Sequence, residues 1–160
     1  AEAWKELKVE AGNMKIQMPG EPQRFSQVVD TEVGKVEAVF YLCELNEGTR
    51  VFAIAYNDYP AEAIENGNAE TMLNGVRDGN MKPHAGTVIE ERKISIDGHP
   101  GRDYTFKGKL NGDGDPIHGH VRLFLVGARL YQLIIFEQPD APAPAEDHAK
   151  FMDSFARLNK

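Results

Sequence analysis

The sequence predicts an α+β fold in which one long antiparallel β-sheet is sandwiched between helices. Three observations carry this expectation. Most of the chain reads as short runs of β-branched and aromatic residues punctuated by turn residues. Two of those runs, residues 51–56 and 133–136, are apolar on both alternating faces, and a strand of that kind is covered on both sides. Two segments, 61–81 and 146–158, abandon the alternation and repeat their apolar residues at helical spacing, which supplies the covering layers.

Taken in order, residues 4–9 are a short opening segment and Met14–Met18 a strand. Pro19-Gly20-Glu21-Pro22 stops that strand, because its two prolines remove backbone donors. Gln23–Thr31 and 35–45 pair as a hairpin around Glu32-Val33-Gly34, and Asn46-Glu47-Gly48 turns the chain into a strand over 49–57. Within 61–81, Ile64, Ala69, Met72, Leu73, Val76 and Met81 mark a helix, with Asn68 as the N-cap of its best-patterned part. Gly75 and Gly79 each cost that helix about 1 kcal/mol relative to alanine, so its ends are expected to fray. Strands follow at Thr87–Ile96, 102–109, 117–126 and Arg129–Glu137. Asp97-Gly98-His99-Pro100-Gly101-Arg102 reads as a long hairpin turn, and Gly127-Ala128, with glycine first, as a two-residue type II′ turn. A Pro/Ala-rich linker over 139–144 precedes the closing helix, whose Phe151, Met152, Phe155 and Leu158 form the clearest amphipathic pattern in the chain. No repeat or composition break divides the chain, so residues 1–160 are expected to form a single domain.

Composition narrows the function classes. A content of 41% hydrophobic and 27% charged residues is that of a globular protein. Eighteen Lys and Arg against 25 Asp and Glu give a formal charge of −7, and the cations form no run. Such a surface repels phosphate backbones, so nucleic acid is not an expected partner. The longest apolar run, 130–136, contains Gln132 and falls far short of the roughly 20 residues that a membrane-spanning helix needs. The one cysteine, Cys43, allows no disulfide within these residues; it sits in an apolar run and is expected to be buried. The chain opens at Ala1 without methionine, which suits a mature or trimmed form.

Motifs that could carry chemistry are few. Asn111-Gly112-Asp113-Gly114-Asp115 has the look of a calcium loop, but the EF-hand pattern wants Gly at its sixth position and Glu at its twelfth. Those positions hold Pro116 and Arg122, so the segment reads as a tight turn. His118 and His120 are two apart on a strand and share a face, where two imidazoles can hold a zinc or copper ion. A third ligand is required, for which Asp113, Asp115 and His99 are the candidates. Ser26, Ser95 and Ser154 sit in no nucleophile elbow, and no phosphate-cradling glycine loop is present. Arg102 is placed to pair with Asp103 or Glu90, or to stand with His99 at a ligand rim.

Several motifs recur together. Met18-Pro19-Gly20-Glu21-Pro22, Tyr56-Asn57-Asp58-Tyr59-Pro60, Leu73-Asn74-Gly75-Val76-Arg77-Asp78-Gly79, Ile94-Ser95-Ile96-Asp97-Gly98-His99-Pro100-Gly101-Arg102, Leu130-Tyr131-Gln132-Leu133 and Phe151-Met152-Asp153-Ser154-Phe155 appear in that order. Together they resemble a group of uncharacterised bacterial exported proteins and lipoproteins with a PsbP-like fold. The resemblance implies an antiparallel sheet between helical layers and export from the cytoplasm. It also implies a protein or cell-envelope partner, since members of the wider superfamily act as accessory or binding proteins. None of the matched motifs is a catalytic signature. The expectation is therefore a non-catalytic, extracytoplasmic binding or accessory domain with no catalytic, cofactor or metal residue assigned. The alternative is a metal-binding protein or metal-dependent enzyme built on His118 and His120.

Overall fold

The structure is a computed structural model that describes residues 3–31 and 33–160. Its centre is a seven-stranded antiparallel sheet that runs, edge to edge, Gln23–Thr31, Gly34–Leu45, Arg50–Asp58, Arg129–Glu137, Pro116–Val126, His99–Lys109 and Thr87–Ile96. The strands are β3 (Gln23–Thr31), β4 (Gly34–Leu45), β5 (Arg50–Asp58), β6 (Thr87–Ile96), β7 (His99–Lys109), β8 (Pro116–Val126) and β9 (Arg129–Glu137). A second, three-stranded sheet is made of β1 (Lys5–Val9), β2 (Met14–Met18) and β10 (Ala156–Arg157), with β2 in the middle. The helices are α1 (Ala61–Glu65), α2 (Ala69–Met81) and α3 (Ala145–Asp153).

The two-faced strands do separate two cores. On one face Phe52, Ile54, Leu133 and Ile135 pack with Met14, Ile16 and Met18 of β2 and with Phe151 and Met152 of α3. On the other, Tyr104, Phe106, Val121, Leu123 and Leu130 pack with Leu73 of α2. Each fully buried side chain of this size contributes about 1.5–3 kcal/mol of transfer free energy. The sandwich therefore has the predicted plan, with one change. The small sheet shares the covering of the first face with α3, so that layer is mixed rather than helical.

The hairpins form at the predicted places. Gly127 takes φ +61° and Val126 pairs with Arg129, as a two-residue turn requires. Thr31 pairs with Gly34, so Gly34 opens β4 rather than lying in the predicted 32–34 turn, and Glu32 lies outside the described residues. The 97–102 turn is shorter than expected. Asp97 and Gly98 alone turn the chain, both at positive φ, and Ile96 pairs directly with His99. Gly101 lies within β7, where a side chain would strike the Leu123 carbonyl oxygen and the Phe124 ring.

Both helical segments also differ in extent. The 61–81 segment is two helices, broken where the Asn68 side chain accepts the Thr71 N–H at 3.1 Å and caps α2 as predicted. Glycines 75 and 79 do not end α2, which runs to Met81. The last helix stops at Asp153, leaving Phe155 and Leu158 outside it. Ser154 Oγ accepts the Gln17 N–H at 2.8 Å, and the chain then pairs with β2 through Ala156 and Arg157. Phe155 keeps its predicted burial by another route, stacking on Phe124 at 5.7 Å between ring centroids.

Two glycines give opposite expectations. Gly79 has open space around it, so Gly79→Ala should raise stability by about 1 kcal/mol, read as an increase in denaturation midpoint. Gly119 lies under the Phe106 ring, where an added methyl would overlap it, so Gly119→Ala should lower stability by about 1–3 kcal/mol.

Candidate functional site

Among the described residues, two clusters of charged groups tie the covering helices to the main sheet, one on each face. On the α2 face Arg102 of β7 is nearly buried, with its side chain 5% exposed. A buried guanidinium must be paired, because desolvating it costs several kcal/mol. Its Nη1 donates to Glu91 at 2.6 Å and to Asn74 at 2.7 Å, and its Nη2 donates to Glu70 at 2.7 Å. Arg77 donates both 2.8 and 2.9 Å bonds to the same Glu91. These bonds fasten α2 to β6 and β7.

Neither partner expected for Arg102 is used. Asp103, its neighbour on the strand, points to the opposite face. Glu90 is displaced by a bulge: Val88 pairs with Phe106 and Glu90 with Thr105, so Ile89 is unpaired and 53% exposed. The extra residue brings Glu91 opposite Tyr104 and onto the α2 face. His99 sits at the start of β7, and Arg102 is committed to α2 rather than to a ligand rim.

The second cluster lies between α3 and the sheet. Along β8, Ile117, Val121, Leu123 and Leu125 enter one core. The alternate positions turn His118, His120 and Arg122 toward α3. Asp103 on β7 is register partner to Arg122, and Glu137 on β9 is register partner to His118. His120 Nε2 lies 3.1 Å from Asp103, and Arg122 Nε donates to the same carboxylate at 2.5 Å. His120 Nδ1 lies 3.1 Å from Nδ1 of His148 on α3, whose Nε2 lies 3.1 Å from Glu137. Glu137 also accepts the Ala143 N–H at 2.7 Å, and Arg122 Nη1 reaches Asp153 at 2.8 Å. A continuous chain of polar contacts thus runs from Asp153 through Arg122, Asp103, His120 and His148 to Glu137.

The electrostatics follow from these contacts. Burial pushes the Asp103 carboxyl up, but hydrogen bonds from His120 and Arg122 outweigh it and bring the pKa to about 2. Burial likewise opposes ionisation of Glu137, and hydrogen bonds from His148 and the Ala143 amide hold it below the ordinary carboxylate range. Both groups are therefore acceptor-only carboxylates at neutral pH.

His120 is part of this cluster, whereas His118 is exposed beside it. Asp113, Asp115 and His99 do not join them. Among the described residues no three His, Cys, Asp or Glu side chains converge as a metal site would need. The Asn111–Asp115 stretch is a β-turn loop closed by the Leu110 N–H on the Asp115 carbonyl at 2.8 Å. Cys43 is 4% exposed within the α3-side core. The sequence reading missed His148 and Glu137, and it placed Asp103 with Arg102 rather than with His120. The signal for His148 was present: it lies three and four residues before Phe151 and Met152, on the face that turns inward.

The solved structures that this chain resembles share its fold. The cyanobacterial PsbP of Synechocystis superposes with a TM-score of 0.55 at 13% identity, covering 98% of this chain and 94% of that one. A Bacteroides thetaiotaomicron protein superposes with a TM-score of 0.54 at 10% identity, covering 96% of this chain but only 48% of its own. The fold is PsbP-like. No family profile matches the chain, and no curated protein matches it in sequence. No helix among the described residues is long and apolar enough to cross a membrane.

The Asp103 contacts give a pH prediction. A carboxyl whose pKa is depressed on folding adds stability above its ordinary range and loses it as the pH falls from about 4 to about 2. Asp103→Asn should therefore cost about 2 kcal/mol at pH 7 and flatten the acid limb of a stability–pH curve over that window.

Proposed function

We propose that this chain is a non-catalytic binding or accessory protein that works outside the cytoplasm beside a protein or cell-envelope partner. One observation carries the reading. The buried ionic groups, Arg102 and Asp103, are used to fasten the covering layers to the sheet. An active site would instead aim such groups into a cleft with room for a substrate. Two shallow concavities among the described residues lie elsewhere. One is lined by Pro60, Glu62, Ala63 and Asn66, the other by Pro19, Glu21, Gln23 and Glu44, and neither contains a member of the two clusters. The PsbP-like fold supports the accessory role and the compartment.

The test is fractionation of source cells that make the full-length protein, with native sizing of the extract. The protein is expected in the extracytoplasmic fraction, migrating above monomer size with an envelope component. Recovery as a cytosolic monomer overturns the proposal.

A further inference from the structure

The contact between His120 and His148 has an unusual geometry. The ring centroids are 5.4 Å apart, the planes are inclined by 19°, and the Nδ1 atoms are 3.1 Å apart. The difference between the two distances is what two imidazole radii occupy, so centroids and nitrogens fall on one line. The rings meet edge to edge, and each Nδ1 directs its in-plane lone pair or N–H at the other. That is hydrogen-bond geometry.

The number of protons follows from the neighbours. Each Nε2 faces an ionised carboxylate, Asp103 or Glu137, which can only accept, so both Nε2 atoms carry hydrogen. The bond between the Nδ1 atoms needs one further proton. Two would set N–H against N–H, and none would set lone pair against lone pair. A closed contact of this kind holds three protons on four ring nitrogens, one ring neutral and the other an imidazolium.

We propose that His120 and His148 bind one shared proton, and that this proton latches α3 to the main sheet. The groups around the pair suit a single positive charge. Asp103 on β7 and Glu137 on β9 carry negative charge, and Asp153 on α3 is held by Arg122 of β8. Arg92 of β6 stands 3.7 Å from Asp103, while His118 and Lys107 lie at the outer end of the same face. The pair is also placed to act on structure, because His148 is one turn from Phe151 and Met152, the residues that seal the α3-side core. A second proton converts the head-on bond into a repulsion and loosens the helix. Loss of the shared proton removes the bond as well, so the latch is strongest between two titration steps.

Long-range proton–nitrogen NMR of the full chain tests this from about pH 5 to 8, the range in which histidine changes charge. The expected result is two coupled steps at His120 and His148 with one proton held between them. His84, His99 and His118 serve as internal controls. In His148→Gln, His120 should become an independent one-step group. Simultaneous one-step titration of the two rings, or an unchanged His120 in His148→Gln, overturns the proposal. So does stoichiometric zinc or copper that shifts both rings together in chelator-treated protein, since the pair is then a metal site. Amide exchange at Phe151 and Met152 should quicken about tenfold at the acidic end in the wild type, beyond the intrinsic pH effect. It should lose that dependence in His148→Gln, and equal dependence in both overturns the latch. If that variant does not fold, His120→Asn makes the same test from the sheet side.

Discussion

The structure depends on one constraint: its central strands have no face that water can wet. Phe52, Ile54, Leu133 and Ile135 fill one side, and Leu130 and Leu123 the other. A sheet of this kind cannot stand alone, since an antiparallel sheet with a solvated face alternates apolar and polar residues. Two separate cores must therefore be closed by two different layers. One is α2 with its neighbouring turns, and the other is α3 combined with a small second sheet.

Apolar packing is non-directional, so it does not by itself fix where a covering helix sits. In this protein the directional part comes from ionic groups on adjacent residues. Arg102 and Asp103 leave β7 on opposite faces, and each organises the bonds that hold one layer. Breaking such a pair from one side leaves a buried charge uncompensated, which is far more costly than the pair is worth in net stability. The polar clusters therefore specify position more than they add stability. Groups that look catalytic in isolation are thus engaged in holding the layers, with Arg102 Nε the one of their atoms left buried without a partner among the described residues.

Much of the fold was legible because it follows local rules. The two-faced strands announced a covered sheet, Gly127-Ala128 announced its hairpin, and Asn68 announced the start of α2. What was missed involves residues far apart in sequence. The bulge at Ile89 depends on the β7 register, and it decides that Glu91 rather than Glu90 meets Arg102. The early end of α3 depends on β2, whose free edge competes with helical continuation through Phe155. The Asp97-Gly98 turn was a different miss, since Asp-Gly alone signals a two-residue hairpin. The histidine cluster was half visible: His120 was singled out, but its partners come from β7, β9 and α3 and share no local pattern with it.

The pairing of β2 with β10 also bears on how the molecule is assembled. Met14 meets Arg157 across nearly the whole chain, and Leu158 donates its N–H to the Asn13 carbonyl at 3.2 Å. Contacts of such separation carry a loop-closure cost before they return any energy, and they slow folding. During synthesis β2 emerges well before its partner, and its second edge must wait for Ala156 and Arg157. Until then one side of the main sheet has neither α3 nor a completed second sheet over it. The apolar surface around Phe52 and Leu133 is thus the part of the nascent protein most exposed to wrong associations.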